Sequence, residues 1–301
     1  MEAILNFKQL IAEAKRQGPV NVAVVAPHDE ATILAVKEGI ENNLAIAELY
    51  GDKNIITPLV EEYGLSGQVV IQHDTDRTGY IQAAVQSVRE GKNNLLMKGK
   101  VETSHILRVA LDKTIGINAG RLCSFLAVCE IPGFERLLII TDGALNIAPT
   151  LSEKVEIAKN AIDVAKTLGI KEPKVAVLAA IERVNPKMPA TLDADALAKM
   201  SADGEFGTAI IDGPFAFDNA ISVEAARKKG IQSKVAGVAD IILVPCIEVG
   251  NALSKAIHYI GKSSNATIVI GAKVPIVIPS RAGKPEAKWA SLALGALLGR
   301  M

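Results

Sequence analysis

The chain has 301 residues, 49% apolar but only 4% aromatic, with 33 basic and 33 acidic side chains that cancel. Its length suits two α/β domains or one large one, and a core of Ala, Val, Ile and Leu suits parallel sheets covered by helices. The neutral balance excludes a general positive field for nucleic acid or an anionic membrane, so any anion site must be local.

The opening MEAILNFKQLIAEAKRQGP mixes charge with apolar residues, without the continuous apolar run of a secretory signal. The longest later apolar runs, at 266–279 and 291–298, are shorter than the ~18–20 residues that span a bilayer. A cytoplasmic location is expected. Strand-like runs then recur: VNVAVVAP at 20–27, NNLLMKG at 93–99, RLLIITDG at 136–143, KVAVLAA at 174–180, and further runs at 208–213, 240–245 and 274–279. Between them Ile81, Ala84, Val85 and Val88 fall at helical spacing, as do Val155, Ala158, Ile162 and Ala165. This alternation predicts an α/β fold whose ligands gather where strands end and helices begin. With no linker to mark a boundary, the division is placed at the Pro and Gly turn of 131–133.

In chain order, the first candidate site is LLMKGKVETSHILR, where Lys98 and Lys100 flank Gly99 after a strand and Thr103 or Ser104 is placed to cap the next helix. In LLIITDGALNIAPTLSEK, Asp142 follows a strand, Asn146 sits in the turn, and Thr150 with Glu153 forms a capping box. IIDGPFAFDNAIS and ADIILVPCIEVGNALSK repeat the layout, setting Asp212, Asp218, Asn219, Glu248 and Asn251 at or just after strand ends. Any one of the acids among them is more often an ordinary helix-terminus or turn residue than a catalyst. The most informative segment is VPIVIPSRAGKPEAKW, in which a buried strand ends in Ser280 and Arg281 and Pro285 opens a helix. Free N–H groups and a guanidinium fork there suit an anion, although an ordinary loop with an exposed arginine has the same letters.

The three cysteines, Cys123, Cys129 and Cys246, have neither metal nor disulfide spacing, and the four histidines show no ligand pattern. No Walker pattern, GxGxxG after the first strand, or GxSxG is present. Gly261-Lys262-Ser263 lacks the earlier glycine of a Walker loop, having Ala256 in its place.

Taken together and in order, LLMKG, TDGALNIAPT, KVAVLAAIERVNPKMPAT, DGPFAFDNAIS, VAGVADIILVPCIEVGNALSK and GAKVPIVIPSR resemble the phosphate acetyl/butyryltransferase family, nearer its butyryl branch. The resemblance covers residue 90 to the end well and the first 90 residues weakly. It implies reversible transfer of a short acyl group between coenzyme A and inorganic phosphate, CoA being a substrate, with no tightly bound cofactor. It also implies a two-domain fold like that of isocitrate and isopropylmalate dehydrogenases, with an interdomain active site and a homo-oligomer. On that basis the first domain is expected over 1–130 plus 272–301 and the second over 131–271.

The family's Ser-Arg pair matches Ser280 and Arg281, implying that Arg281 clamps phosphoryl oxygens and Ser280 hydrogen-bonds the thiol sulfur or the oxyanion. The acetyl branch has an aspartate seven positions after that serine, where this chain has Ala287. Glu286, Asp218 and Glu248 are therefore the candidates for the base. The chain also departs from the butyryl branch at Ser124-Phe125 and Gly283. Lys98, Arg121 and Asn146, with Asp218, Glu248 and Asn251, are the expected substrate contacts, because a polyanion needs local positive charge and polar strand ends. The competing readings are an acetyl-CoA enzyme of the acetyl branch, differing only in the room left for the acyl chain; a two-lobed solute-binding protein, which ordinarily carries an export signal; and a dehydrogenase, which needs a metal-binding aspartate cluster and a nicotinamide site.

Overall fold

The computed structural model describes residues 2–279 and 285–300. The elements begin with α1 (Phe7–Gln17), β1 (Val20–Val25), α2 (Glu30–Glu41), β2 (Ala45–Gly51), α3 (Lys53–Glu62), β3 (Val70–His73), α4 (Arg77–Arg89), β4 (Leu95–Lys98) and α5 (Thr103–Ala110). Next come β5 (Ser124–Glu130), β6 (Leu138–Thr141), α6 (Leu151–Thr167), β7 (Lys174–Leu178), α7 (Pro189–Ala202), β8 (Ile210–Phe215), α8 (Phe217–Ile221) and α9 (Val223–Lys228). The last are β9 (Ile241–Leu243), α10 (Ile247–Tyr259), β10 (Ser264–Ile270), β11 (Ile276–Val277) and α11 (Pro285–Leu298). They form two compact units, one from Phe7–Arg121 with Asn265–Met301, the other from Met1–Asn6 with Leu122–Ser264.

In the unit containing β1, the strand order is β3-β2-β1-β4-β11-β10. β1 pairs in parallel with β2 on one side and β4 on the other, β4 is parallel to β11, and β10 runs antiparallel to β11. Val22 to Val25 are fully buried, as expected of a central parallel strand covered on both faces. The register pairs Val25 with both Tyr50 and Lys98, so β1, β2 and β4 end level. From β1 the chain passes through α2 to β2 on one side, whereas α4 delivers it to β4 on the other. The strand order thus reverses between β1 and β4, the place where open α/β sheets bind ligands beyond their carboxyl ends.

The C-terminal helix α11 is buried almost all round from Ala290 to Leu298 and packs on α1 and α2. Gly39 admits it, since a Cβ there would lie 2.7 Å from Leu292 Cδ2. Ala293 joins Ala14 and Leu44 in a small cluster flanked by Ile11 and Trp289.

In the other unit, the order is β5-β6-β9-β7-β8, all parallel except β5, which is antiparallel to β6. The Pro132–Gly133 turn joins these two strands. Cys129, Leu138, Ile140, Ala176, Phe215 and Ile242 are among the residues of its core. α6 starts at the expected capping box: Thr150 Oγ1 accepts from the Glu153 amide, and the Glu153 carboxylate accepts from the Thr150 amide at 2.7 Å. The cap expected for α5 differs. Glu102 stands at the N-cap without a side-chain capping bond, and Thr103 is already helical.

Candidate functional site

Beyond β1 and β4 the backbone is fixed by hydrogen bonds between the two strand ends. Gly99 N donates to Val25 O at 2.8 Å and Lys100 N to Ala26 O at 2.7 Å. A Cβ on Gly99 would sit 2.3 Å from Ala26 O, so no larger residue fits this approach. Lys98, expected to contact substrate, is 1% exposed, and its ammonium donates to Gly99 O and Val101 O at 3.1 Å each. It holds the turn that follows β4.

That turn, the start of α2 at Asp29 and the start of α4 border a cavity of about 360 Å³ lined by Gly99, Lys100, Glu102, Arg77, Asp29 and Lys288, along with Val101 and Pro279. Asp29 caps α2 through Thr32 N at 2.9 Å and also accepts from Thr32 Oγ1 and from Lys288 Nζ, the latter at 2.9 Å. Burial pushes its pKa up, but hydrogen bonds from Lys288 and Thr32 outweigh burial and leave it below the usual carboxylate range. His28, the residue before it, accepts from Asp52 N through Nε2 at 3.1 Å. Its pKa is lowered by burial, with the Lys100 charge adding to the effect against the opposing pull of Asp52.

Pro279, the residue before Ser280 in the chain, lines the cavity, while Ser280 and Arg281 themselves lie outside the described residues, as does Gly283. α11 opens at Pro285 as the sequence predicts. Glu286 is exposed in its first turn, and the backbone carbonyl of Ala287 accepts from Ser291 Oγ at 2.8 Å. Arg121 is exposed and does not line this cavity.

In the other unit, three expected residues meet at the ends of β6 and β9. Asp142, 3% exposed, accepts from the amides of Phe125, Ala144 and Leu145 at 2.9–3.0 Å and from Asn146 Nδ2 at 2.7 Å. Asn146 also donates to Cys123 O at 2.9 Å, so its amide group shapes the loop from within. Asn251 Nδ2 donates to Gly143 O at 3.2 Å, and Ile247 N donates to Ile147 O at 2.9 Å. Gly143 and Gly250 touch backbone to backbone, for a Cβ on Gly250 would lie 2.7 Å from the Gly143 Cα. Glu248 is exposed in the first turn of α10, where the helix dipole favours a carboxylate.

Asp218 is elsewhere, on α8, exposed and paired with Lys229 at 3.1 Å, which also binds Glu182 at 2.7 Å. Cys123 and Cys129 are buried and Cys246 half-buried; burial pushes the Cys129 thiol up to about 12, leaving it inert. Among the described residues no group of three or more His, Cys, Asp or Glu could hold a metal ion. Nor is any described helix long and apolar enough to cross a membrane.

Arg77, Asp29 and Lys288 carry no motif of their own in the sequence. Only Asp29 left a signal, as a capping residue before EATILAV; pairing over 259 positions leaves none.

The family model for phosphate acetyl/butaryl transferase matches residues 73–296. The chain belongs to this family. Along 97% of its length it is 40% identical to the phosphate acetyltransferase of Thermotoga maritima, covering 99% of that protein. It is 42% identical to the phosphate butyryltransferase of Clostridium beijerinckii, covering 97% of each chain. The crystal structure of a branched-chain phosphotransacylase from Enterococcus faecalis V583 superposes with a TM-score of 0.81 at 29% identity, covering 93% of this chain and 99% of that one. The EutD phosphotransacetylase from Staphylococcus aureus, at 21% identity and a TM-score of 0.80, shares the fold.

Proposed function

We propose that this family member is a phosphate acyltransferase of the butyryl type, converting acyl-CoA and inorganic phosphate to acyl phosphate and free CoA, reversibly. The observation that carries this reading is the 40–43% identity to phosphate butyryltransferases, named or probable, over 96–98% of the chain. In the forward direction a phosphate oxygen attacks the thioester carbonyl, the tetrahedral oxyanion collapses, and the C–S bond breaks to release the thiolate, which takes up a proton. Arg281 holds the phosphoryl oxygens and Ser280 donates to the oxyanion or the sulfur, a donor contribution of about 3–4 kcal/mol in preorganised sites.

The rest of the machinery agrees with a polyanionic substrate. The β1–β4 end carries a cavity with Lys100 and Arg77 in its lining, and the loop after β6 is held rigid by Asp142. Glu248 and Asn251 at the head of α10 are assigned to the substrate, whereas Asp218 is engaged by Lys229. CoA enters as a substrate, no cofactor is tightly held, and the protein works as a cytoplasmic homo-oligomer. These last assignments, and the likeness to isocitrate and isopropylmalate dehydrogenases, rest on the sequence resemblance.

The acyl chain is the open choice within the reading, because the acetyltransferase relative from Thermotoga is 40% identical too. One methylene in a pocket is worth about 1–3 kcal/mol, or roughly 10–200-fold in kcat/KM. Trapping the acyl phosphate with hydroxylamine from acetyl-, propionyl-, butyryl- and isobutyryl-CoA measures it. A maximum at four carbons supports the butyryl assignment, a maximum at acetyl replaces it with phosphate acetyltransferase, and no hydroxamate from any thioester defeats the acyltransferase reading.

A further inference from the structure

The cavity at the β1–β4 switch point contains charge that the assignments above leave unused. Of the charged side chains in its lining, Asp29 and Lys288 satisfy each other at 2.9 Å, and Glu102 lies 3.7 Å from His105 Nε2. Among the described residues the Lys100 side chain makes no hydrogen bond or ion pair, and Arg77 lies beside the Tyr80 hydroxyl at the N-terminal end of α4.

Lys98 and Lys100 look interchangeable in sequence, two lysines astride a glycine, yet the structure separates their roles. The Lys98 ammonium is turned into the protein onto Gly99 O and Val101 O, while Lys100 lines the cavity. The turn that carries Lys100 cannot relax, because Gly99 is wedged against Ala26 O and both its own amide and that of Lys100 are bonded to the β1 end. A cation carried on a fixed turn binds without the cost of ordering its backbone, so only its side chain has to be ordered.

We propose that Lys100 and Arg77 hold a phosphoryl group in this cavity, and that Lys98 is the positioning residue that fixes the turn from which Lys100 projects. The proposal rests on the acyltransferase reading for the origin of that group, which is either inorganic phosphate or one of the phosphates of CoA. His28 fits the assignment: with Nε2 accepting the Asp52 amide, it sits beside the lysine as a neutral ring rather than a competing cation.

The test is steady-state kinetics of the full-length protein with Lys100→Met, Arg77→Met and the conservative Lys100→Arg, varying phosphate and acyl-CoA separately. It is paired with calorimetric titration of each protein with inorganic phosphate and with adenosine 3′,5′-bisphosphate. Losing one charge-assisted contact should raise one KM about ten- to a hundredfold, with kcat changed far less and Lys100→Arg recovering most of the loss. A rise confined to phosphate places inorganic phosphate in the cavity. A rise confined to acyl-CoA, absent with dephospho-CoA thioesters, places the CoA 3′-phosphate there. Lys98→Met should instead lower kcat and raise the KM together, and arginine should not rescue it. Unchanged KM values and unchanged titrations in both methionine variants overturn the proposal while leaving the acyltransferase reading intact. Inactive wild type that still binds either anion, with binding lost in Lys100→Met, removes the acyltransferase reading and keeps the site.

Discussion

Replacing Asp29 with alanine removes the carboxylate that receives Lys288 Nζ at 2.9 Å and caps α2 through Thr32 N. The Lys288 side chain is only 4% exposed, so its ammonium stays buried with Thr32 Oγ1, at 3.0 Å, as its remaining described acceptor. Breaking a buried pair from one side costs about 3–5 kcal/mol, and loss of the cap adds about 1 kcal/mol. Lys288→Met is milder, about 1–3 kcal/mol, because Asp29 is 25% exposed and keeps its bonds to Thr32. The double variant should therefore be more stable than Asp29→Ala alone, since no unpaired charge is left inside.

Urea unfolding of the four proteins measures this cycle, with hydrogen exchange of α2 and α11 reporting the affected unit. The sign with pH follows from the lowered carboxyl. Its stabilisation is complete above the ordinary aspartate value of about 3.9 and is lost as pH falls through the lower folded value. Asp29→Asn should flatten the stability curve below about pH 4 and leave its slope between pH 5 and 7 unchanged. An Asp29→Ala cost no larger than that of Lys288→Met would refute the reasoning.

Burial holds the His28 pKa down, so acidification through the ordinary histidine range of about 6.5 should destabilise the unit containing β1. His28→Asn should remove that part of the slope in thermal melts taken between pH 7.5 and 5. Gly250→Ala drives a Cβ against the Gly143 backbone and should cost about 1–3 kcal/mol, with kcat/KM falling as the loop after β6 shifts. Thr150→Ala removes a capping box on an exposed helix start and should cost about 1 kcal/mol in urea with kcat unaltered.

The parts of the fold legible in sequence are those whose pattern is local. β1, β4, β6 and β7 are apolar runs that end in turns, and α4 and α6 show the helical period that their buried faces require. β3 escaped notice because it is an exposed strand of VIQH with no buried face to mark it. β2 is hard to read because Glu48 breaks its apolar run, and that glutamate accepts from Tyr50, Gln72 and Asn93. β5 and β10 are apolar runs of the same kind, and β5 ends at the Pro132–Gly133 turn.

At the site, sequence could nominate Lys98 by its place beside a glycine, but only the packing of Gly99 onto Ala26 shows which way its ammonium turns. The turn position of Asn146 is legible in the sequence, but not the two bonds by which its amide braces the Asp142 loop. Arg77 carries no signal in the sequence, because its neighbours in the cavity, Gly99 and Lys100, are distant in the chain.

Phosphate-dependent acyl transfer, with Arg281 as the proposed anion clamp, is tested most directly by release of free CoA thiol from butyryl-CoA and acetyl-CoA. It is read with and without phosphate, in the presence and absence of a chelator, for wild type and Arg281→Ala. The account predicts release only with phosphate, one acyl phosphate per thiol, indifference to the chelator, and a loss of about a hundredfold or more in the variant. Thiol release that ignores phosphate, or none from either thioester, would contradict it.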